Sequence, residues 1–316
     1  MVALFAGEMM FASTGIAQAA PGGVPGAPAW SHKGGQQGCG NADVAIPSKS
    51  PADYAAHPDQ FVTDPSMPPG MQAQLEQIAL NKPTVVTSIS CAPGQEHHAT
   101  KVQQGATTWA GYWTGSSSYT DIFATITWIV PSLTGTSSNS AVSIWPGLGG
   151  GSSSDELVQA GTSQKSKSTV FWYEMYPYET MKNVTGISVA PGNKVQVMIY
   201  FNVLTKKATY DFYNYTANTF LAVQESLPAG HSYLGRQAEW IVEQPGFAAG
   251  GFAVLPNFGT ISLSVAGFER SDSSSTTILN SSFPSLTIKN ASNQVLASPG
   301  PASSTGNFIV TWKKSS

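Results

Sequence analysis

The feature that most narrows the fold is a period of two. In "KVQVMIYFNVL" (194–204), Val195, Val197, Ile199, Phe201 and Val203 fall on one side of an extended chain, because successive side chains of a strand point to opposite faces. The runs "FATITWIVP" (123–131), "ATYDFYNYT" (208–216), "GTISLSV" (259–265) and "NFIVTWK" (307–313) behave similarly, with Gly, Pro, Asn and Ser clusters between them. Many short strands with turn signals and no convincing helical period predict an all-β fold, an antiparallel sandwich of the jelly-roll or lectin-like kind. It would occupy residues 101–316 as one domain without internal repeats. A hydrophobic fraction of 41% is enough for its core.

Residues 20–100 read differently. "APGGVPGAPAWSHKGGQQGCG" (20–40) is Pro/Gly-rich and linker-like. In "PPGMQAQLEQIALNKP" (68–83), Met71, Leu75 and Ile78 recur at i, i+4 and i+7, which predicts one short amphipathic helix stopped by Pro83. The first 100 residues carry 3 basic and 7 acidic groups, whereas 101–316 carry 12 and 11. The opposite signs favour docking of the N-terminal segment on the β domain, an effect that salt weakens.

The N-terminus "MVALFAGEMMFASTGIAQAAPGG" resembles an export signal, with small residues at Ala17 and Ala19 before Pro21. The expected organisation is a signal peptide over 1–19, a pro-segment over 20–100 and the β domain over 101–316, in a secreted, extracellular protein. Two cysteines, Cys39 and Cys91, permit one disulfide ahead of the β domain.

Several chemistries are disfavoured. A net charge of −3 offers no basic surface for nucleic acid, and no run approaches the ~20 apolar residues of a membrane span. His231 is the only histidine after residue 101, and no nucleophile-elbow pattern accompanies it. H-E-x-x-H and zinc-spaced cysteine pairs are lacking, so no metal and no cofactor are expected; calcium held by carbonyls and scattered Asp side chains stays open.

Carboxylates and amides remain. In "RQAEWIVEQPG" (236–246), Glu239 and Glu243 stand among apolar neighbours in a chain with only 10% charged residues. On one strand they share a face about 13 Å apart, beyond the ~5–9.5 Å of paired glycosidase carboxylates. Any catalytic partner of Glu243 must therefore come from another strand. Gln159 follows the glycine-rich "IWPGLGG" (144–150), and "FWYEMYP" (171–177) puts Trp172, Glu174 and Tyr176 on one face. These supply an amide, carboxylates and aromatic walls for a peptide-binding groove.

In order and spacing, "TTWAGYWTG" (107–115), "TWIVP", "IWPGLGG", "LVQAGT" (157–162), "WYEMYP", "AEWIVE" (238–243) and "LPNFGTISL" (255–263) resemble the glutamic peptidases, the eqolisin or A4-like family. The resemblance implies a sandwich of two bent antiparallel sheets with the active site on a concave face. It implies a secreted acid endopeptidase made as a zymogen, with Gln159 and Glu243 as the catalytic pair. Trp145, Glu174, Trp109 and Trp172 would line the substrate cleft. Glu243 would be the general base on water and the Gln159 amide would stabilise the oxyanion; Glu239 is read as a supporting group. The family commonly has Asp where this chain has Gly149, a departure expected to alter the pH optimum or subsite preference. The implied partners are polypeptide substrates and the protein's own propeptide, and a monomer is expected. A non-catalytic carbohydrate-binding sandwich and an inactive family member are the competing readings.

Overall fold

The computed structural model describes residues 30–33, 36–47, 50–61, 66–94, 96–97, 102–103, 106–115, 118–150, 156–166, 168–247, 250–273 and 275–316. The expected export signal and its cleavage site lie outside the described residues. The N-terminal region contributes β1 (Trp30–Lys33), β2 (Asp43–Pro47), helix α1 (Pro51–Ala56), a 3₁₀ turn (Pro58–Phe61), helix α2 (Pro69–Leu80), β3 (Thr84–Val85), β4 (Ser90–Pro93) and β5 (Glu96–His97). Two very short strands, β6 (Val102–Gln103) and β7 (Ala106–Thr107), lead into β8 (Trp109–Trp113) and β9 (Asp121–Ile129). The long strands follow: β10 (Ala141–Gly149), β11 (Leu157–Lys165), β12 (Ser168–Tyr176), β13 (Lys182–Thr185), β14 (Lys194–Asn202), β15 (Lys207–Asn214), β16 (Thr219–Ser226) and β17 (Ala238–Glu243). The chain ends with β18 (Gly246–Phe247), β19 (Thr260–Arg270), β20 (Thr277–Ile278), β21 (Ser285–Leu286), β22 (Ile288–Lys289), β23 (Val295–Pro299) and β24 (Phe308–Trp312).

Two sheets face each other, and the expected all-β sandwich is what the chain forms. The larger runs β1-β2-β16-β15-β14-β9-β19-β24-β23-β22-β7-β6, with β20 on β19 and β3 on β16; the smaller runs β21-β8-β17-β10-β11-β12-β13-β4. Their facing sides share one core, in which Val195, Val197, Ile199 and Phe201 of β14 meet Ile144, Val158, Tyr173 and Trp240 of the smaller sheet. Val203 lies beyond the end of β14 and is 43% exposed, so the apolar face expected there stops one residue pair earlier.

The stretch read as linker with one helix is more ordered than its composition suggests. The expected helix is α2, with Met71, Leu75 and Ile78 buried. A second, α1, begins at Ser50, whose hydroxyl accepts from Asp53 N while the Asp53 carboxylate accepts from Ser50 N, a reciprocal cap. Ala42 and Val44 enter the main core, and Cys39 is disulfide-bonded to Cys91. The alternation in "DVAIP" (43–47) is too brief to stand out against Pro/Gly surroundings.

Helix α2 packs on the outer face of the larger sheet, against Phe123, Met198, Tyr200, Tyr213 and Phe220. Burial of each such side chain contributes about 1.5–3 kcal/mol. At its start, Gly70 N donates to Glu269 Oε1 at 2.6 Å, and Thr276 Oγ1 donates to the same oxygen at 2.6 Å. A carboxylate there satisfies an otherwise orphaned helix amide and suits the helix dipole. Apolar packing, the Glu269 carboxylate, the Gln74 amide oxygen that accepts from Thr125 and Gln196, and the pairing of β2 and β3 with β16 and of β4 with β13 together dock this segment. Asp211, facing Met198 and Ala222 on the covered side, has no hydrogen-bond partner for either oxygen among the described residues. Burial pushes its carboxyl up to about 8.

Candidate active site

The outer face of the smaller sheet is where the quoted motifs meet. Period-two alternation sends Ala110, Tyr112, Ile144, Leu148, Val158, Ala160, Phe171, Tyr173, Trp240 and Val242 into the main core. The alternate residues Trp109, Trp145, Leu157, Trp172 and Ile241 gather with Met181 into a separate cluster on the opposite face. Gln159, Glu174, Glu239 and Glu243 share that second face, two residues from its apolar members on the same strands. All four are fully buried.

Register decides which polar groups can cooperate. Trp113 on β8 pairs with Glu239 on β17, Glu239 with Gly147 on β10, Gly147 with Gln159 on β11, and Gln159 with Glu174 on β12. Gln159 and Glu239 therefore stand on either side of a residue without a side chain, two strand spacings or about 10 Å apart at Cα. A Cβ on Gly147 would come 2.8 Å from Trp145 Cζ3 and 3.0 Å from Leu157 Cδ1. Glu243 lies on a different rung, between Trp109 and Ser143. Four residues along β17 add about 13 Å, so Glu243 is about 16 Å from Gln159 at Cα.

Hydrogen bonds follow the same division. Gln159 Nε2 donates to Glu174 Oε2 at 2.8 Å, which fixes the plane of the amide; Gln159 Oε1 has no partner among the described residues. Gln237 Nε2 donates to Glu239 Oε1. Trp145 Nε1 donates to Glu243 Oε2 at 2.8 Å, so the indole lies between Glu243 and the Gln159 rung. Trp109 meets Trp145 edge-on, with ring centroids 4.9 Å apart. The close approach of β11 to Trp145 needs Gly161, where a Cβ would fall 2.0 Å from the Ile144 carbonyl oxygen.

The structure thus brings Gln159, Glu174, Trp145, Trp109 and Trp172 to one face, as expected, and places Glu243 there without bringing it opposite Gln159. Sequence reading missed Gly147 as a gap and Gln237 as a partner of Glu239. The run "PGLGG" held the only signal for the first. Among the described residues no three His, Cys, Asp or Glu side chains cluster as metal ligands would, and no helix is long and apolar enough to cross a membrane.

Residues 107–312 match the Peptidase A4 family. The chain belongs to that family. It is therefore a peptidase, a hydrolase, and the carbohydrate-binding alternative falls away. The sandwich is similar to scytalido-glutamic peptidase crystallised with a transition-state analog inhibitor, at 18% identity and a TM-score of 0.56, over 65% of this chain and 98% of that one. It is also similar to SCP-B, a member of the Eqolisin family of peptidases in complex with the tripeptide Ala-Ile-His, at 18% identity and a TM-score of 0.53, with the same coverage. At such identity these two matches speak to the fold. Comparison with curated proteins gives no match.

Proposed function

We propose that this peptidase is a secreted acid endopeptidase in which Gln159 and Glu243 act as the pair on a water. The observation that supports the reading is that both are buried on one face of the smaller sheet and each is held by a neighbour there, Glu243 by the Trp145 indole and Gln159 by Glu174. Glu243 as carboxylate takes a proton from water, whose oxygen adds to the substrate carbonyl carbon. The second N–H of the Gln159 amide donates to the oxyanion that forms, a kind of contact whose loss costs about 10²–10³-fold. Glu243 then passes the proton to the amine nitrogen as the C–N bond breaks. Glu174 keeps the amide aimed. Trp109, Trp145 and Trp172 wall the cleft, and Trp145 orders Glu243.

Residues 20–100 are read as the propeptide. Its helices lie on the far side of the sandwich from the site, but β4 extends the smaller sheet at β13 and β5 pairs with β18, three residues beyond Glu243.

The test is cleavage of a denatured protein at about pH 3–4, around the ordinary glutamate range, by the processed enzyme. Glu243→Gln and Gln159→Ala are expected to abolish cleavage while Glu239→Gln retains a measurable part. Activity that survives in Glu243→Gln and vanishes in Glu239→Gln overturns the pair and moves the base to the other end of β17. An inactive wild-type chain, folded and processed, supports the inactive-member reading.

A further inference from the structure

Asp211 is a fully buried acid that the peptidase reading leaves without a task. It stands in β15 opposite Met198 of β14 and Ala222 of β16, and Ala222 is in turn opposite Ala45 of β2. Met198, Ala222 and Ala45 belong to the outer cluster, whose buried members outside the strands all come from the N-terminal segment, between Tyr54 and Ala79. That segment is therefore what covers Asp211. It brings the carboxyl nothing to bind, since neither oxygen has a hydrogen-bond partner among the described residues. Glu269 is the contrast, because there the segment supplies Gly70 N as a donor. Burying a carboxylate without donor or counter-charge is costly, and the neutral carboxyl is far cheaper to cover.

We propose that docking of the N-terminal segment takes up a proton at Asp211, so that acid tightens the segment on the sandwich and neutral pH loosens it. This holds whether or not residues 20–100 are cut away. With the segment docked, burial pushes the carboxyl up to about 8. With the segment lifted, the same side chain stands on an open sheet face and ionises near ~4. A group raised in the docked state favours docking fully below about pH 4, and that contribution is lost as pH climbs toward 8.

The groups around Asp211 do not supply the missing partner. On its own face of β15, Tyr213 donates to Asn218 Oδ1, and Lys207, four residues or about 13 Å along, donates to Gln224 Oε1. On β14, Tyr200 donates to Ser66 O, and the Lys194 ammonium lies over the Tyr215 ring. On β16, alternation turns Glu225 to the other face, where Lys182 holds it. Asp43 of β2 is opposite Gln224, and His32 of β1 is opposite Ala45. In the segment itself, Asp53, His57 and Asp59 are exposed and Glu76 is half-buried, which leaves the Tyr54 phenol as its one titratable side chain in the cluster.

The experiment is amide hydrogen exchange on the full-length chain from pH 4 to pH 7, corrected for the pH dependence of chemical exchange, for wild type and Asp211→Asn. Opening of α2 in wild type is expected to rise on the order of 10²-fold across this range. In Asp211→Asn, whose amide stays neutral, opening at pH 7 should fall to near the wild-type value at pH 4. A flat wild-type profile overturns the proposal without any variant having to fold. An equal rise in Asp211→Asn overturns it as well, by assigning the proton to another group.

Discussion

The two outer faces of the sandwich are covered by different means. On the larger sheet, Met198, Tyr200, Tyr213 and Phe220 lie under Met71, Leu75 and Ile78 of α2, a mainly apolar contact in which the Gln74 amide oxygen accepts from Thr125 and Gln196. On the smaller sheet, the buried face carries three carboxylates and an amide between tryptophans, bound to one another's neighbours by Trp145, Gln159 and Gln237. The first arrangement stabilises whatever is on top of it. The second holds polar groups in fixed directions at a desolvation cost, which suits chemistry better than stability.

Crowding Trp145, which holds Glu243, is expected to have the largest effect. Gly147→Val puts a branched side chain where even a Cβ lies 2.8 Å from Trp145, and kcat/KM should fall on the order of 10²-fold or more, read by cleavage assays on protein that remains folded by circular dichroism. On the apolar side, Leu75→Ala should cost the full-length chain about 2–5 kcal/mol by denaturant unfolding, without altering the rate of the processed enzyme. Trp145→Phe retains an aromatic ring but withdraws the donor from Glu243; a loss of about 1–3 kcal/mol is expected in thermal or denaturant melts, with a smaller drop in activity than Gly147→Val gives.

The smallest change sharpens the contrast through pH. Asp211 is neutral in the folded chain because burial holds its pKa at about 8, whereas in the unfolded chain it ionises near ~4. Its titration therefore adds no cost below about pH 4 and progressively destabilises the fold as pH rises toward 8. Asp211→Asn should leave the melting temperature unchanged at pH 4 and raise it at pH 7. Equal melting temperatures at both values would show that the carboxyl is not buried as described.

The fold was legible in the residues because period-two patterning is local: "KVQVMIYFNVL" declares a strand without reference to any other segment. The α2 face was legible for the same reason. The pairing of Gln159 was not, because alternation within β11 and β17 tells which residues share a face but not which rungs they occupy. Glu239 and Glu243 satisfy the same alternation, and only the register of β17 against β10 separates them. The strands at Trp30–Lys33 and Asp43–Pro47 escaped reading because they are short and their partners lie elsewhere in the chain, β2 pairing with β16 across more than 170 positions.

The bond between Cys39 and Cys91 sets a rule for how this molecule can be taken apart. The two half-cystines enclose both helices, with β2 and β3 between them. A single cut anywhere inside that loop leaves both fragments joined, and the severed piece stays on the sandwich. Only a cut past Cys91 detaches the whole assembly at once. A protease that is to release the N-terminal strands and helices together must therefore cut between β4 and the start of β8, and any cut inside the loop leaves them tethered until the disulfide is reduced.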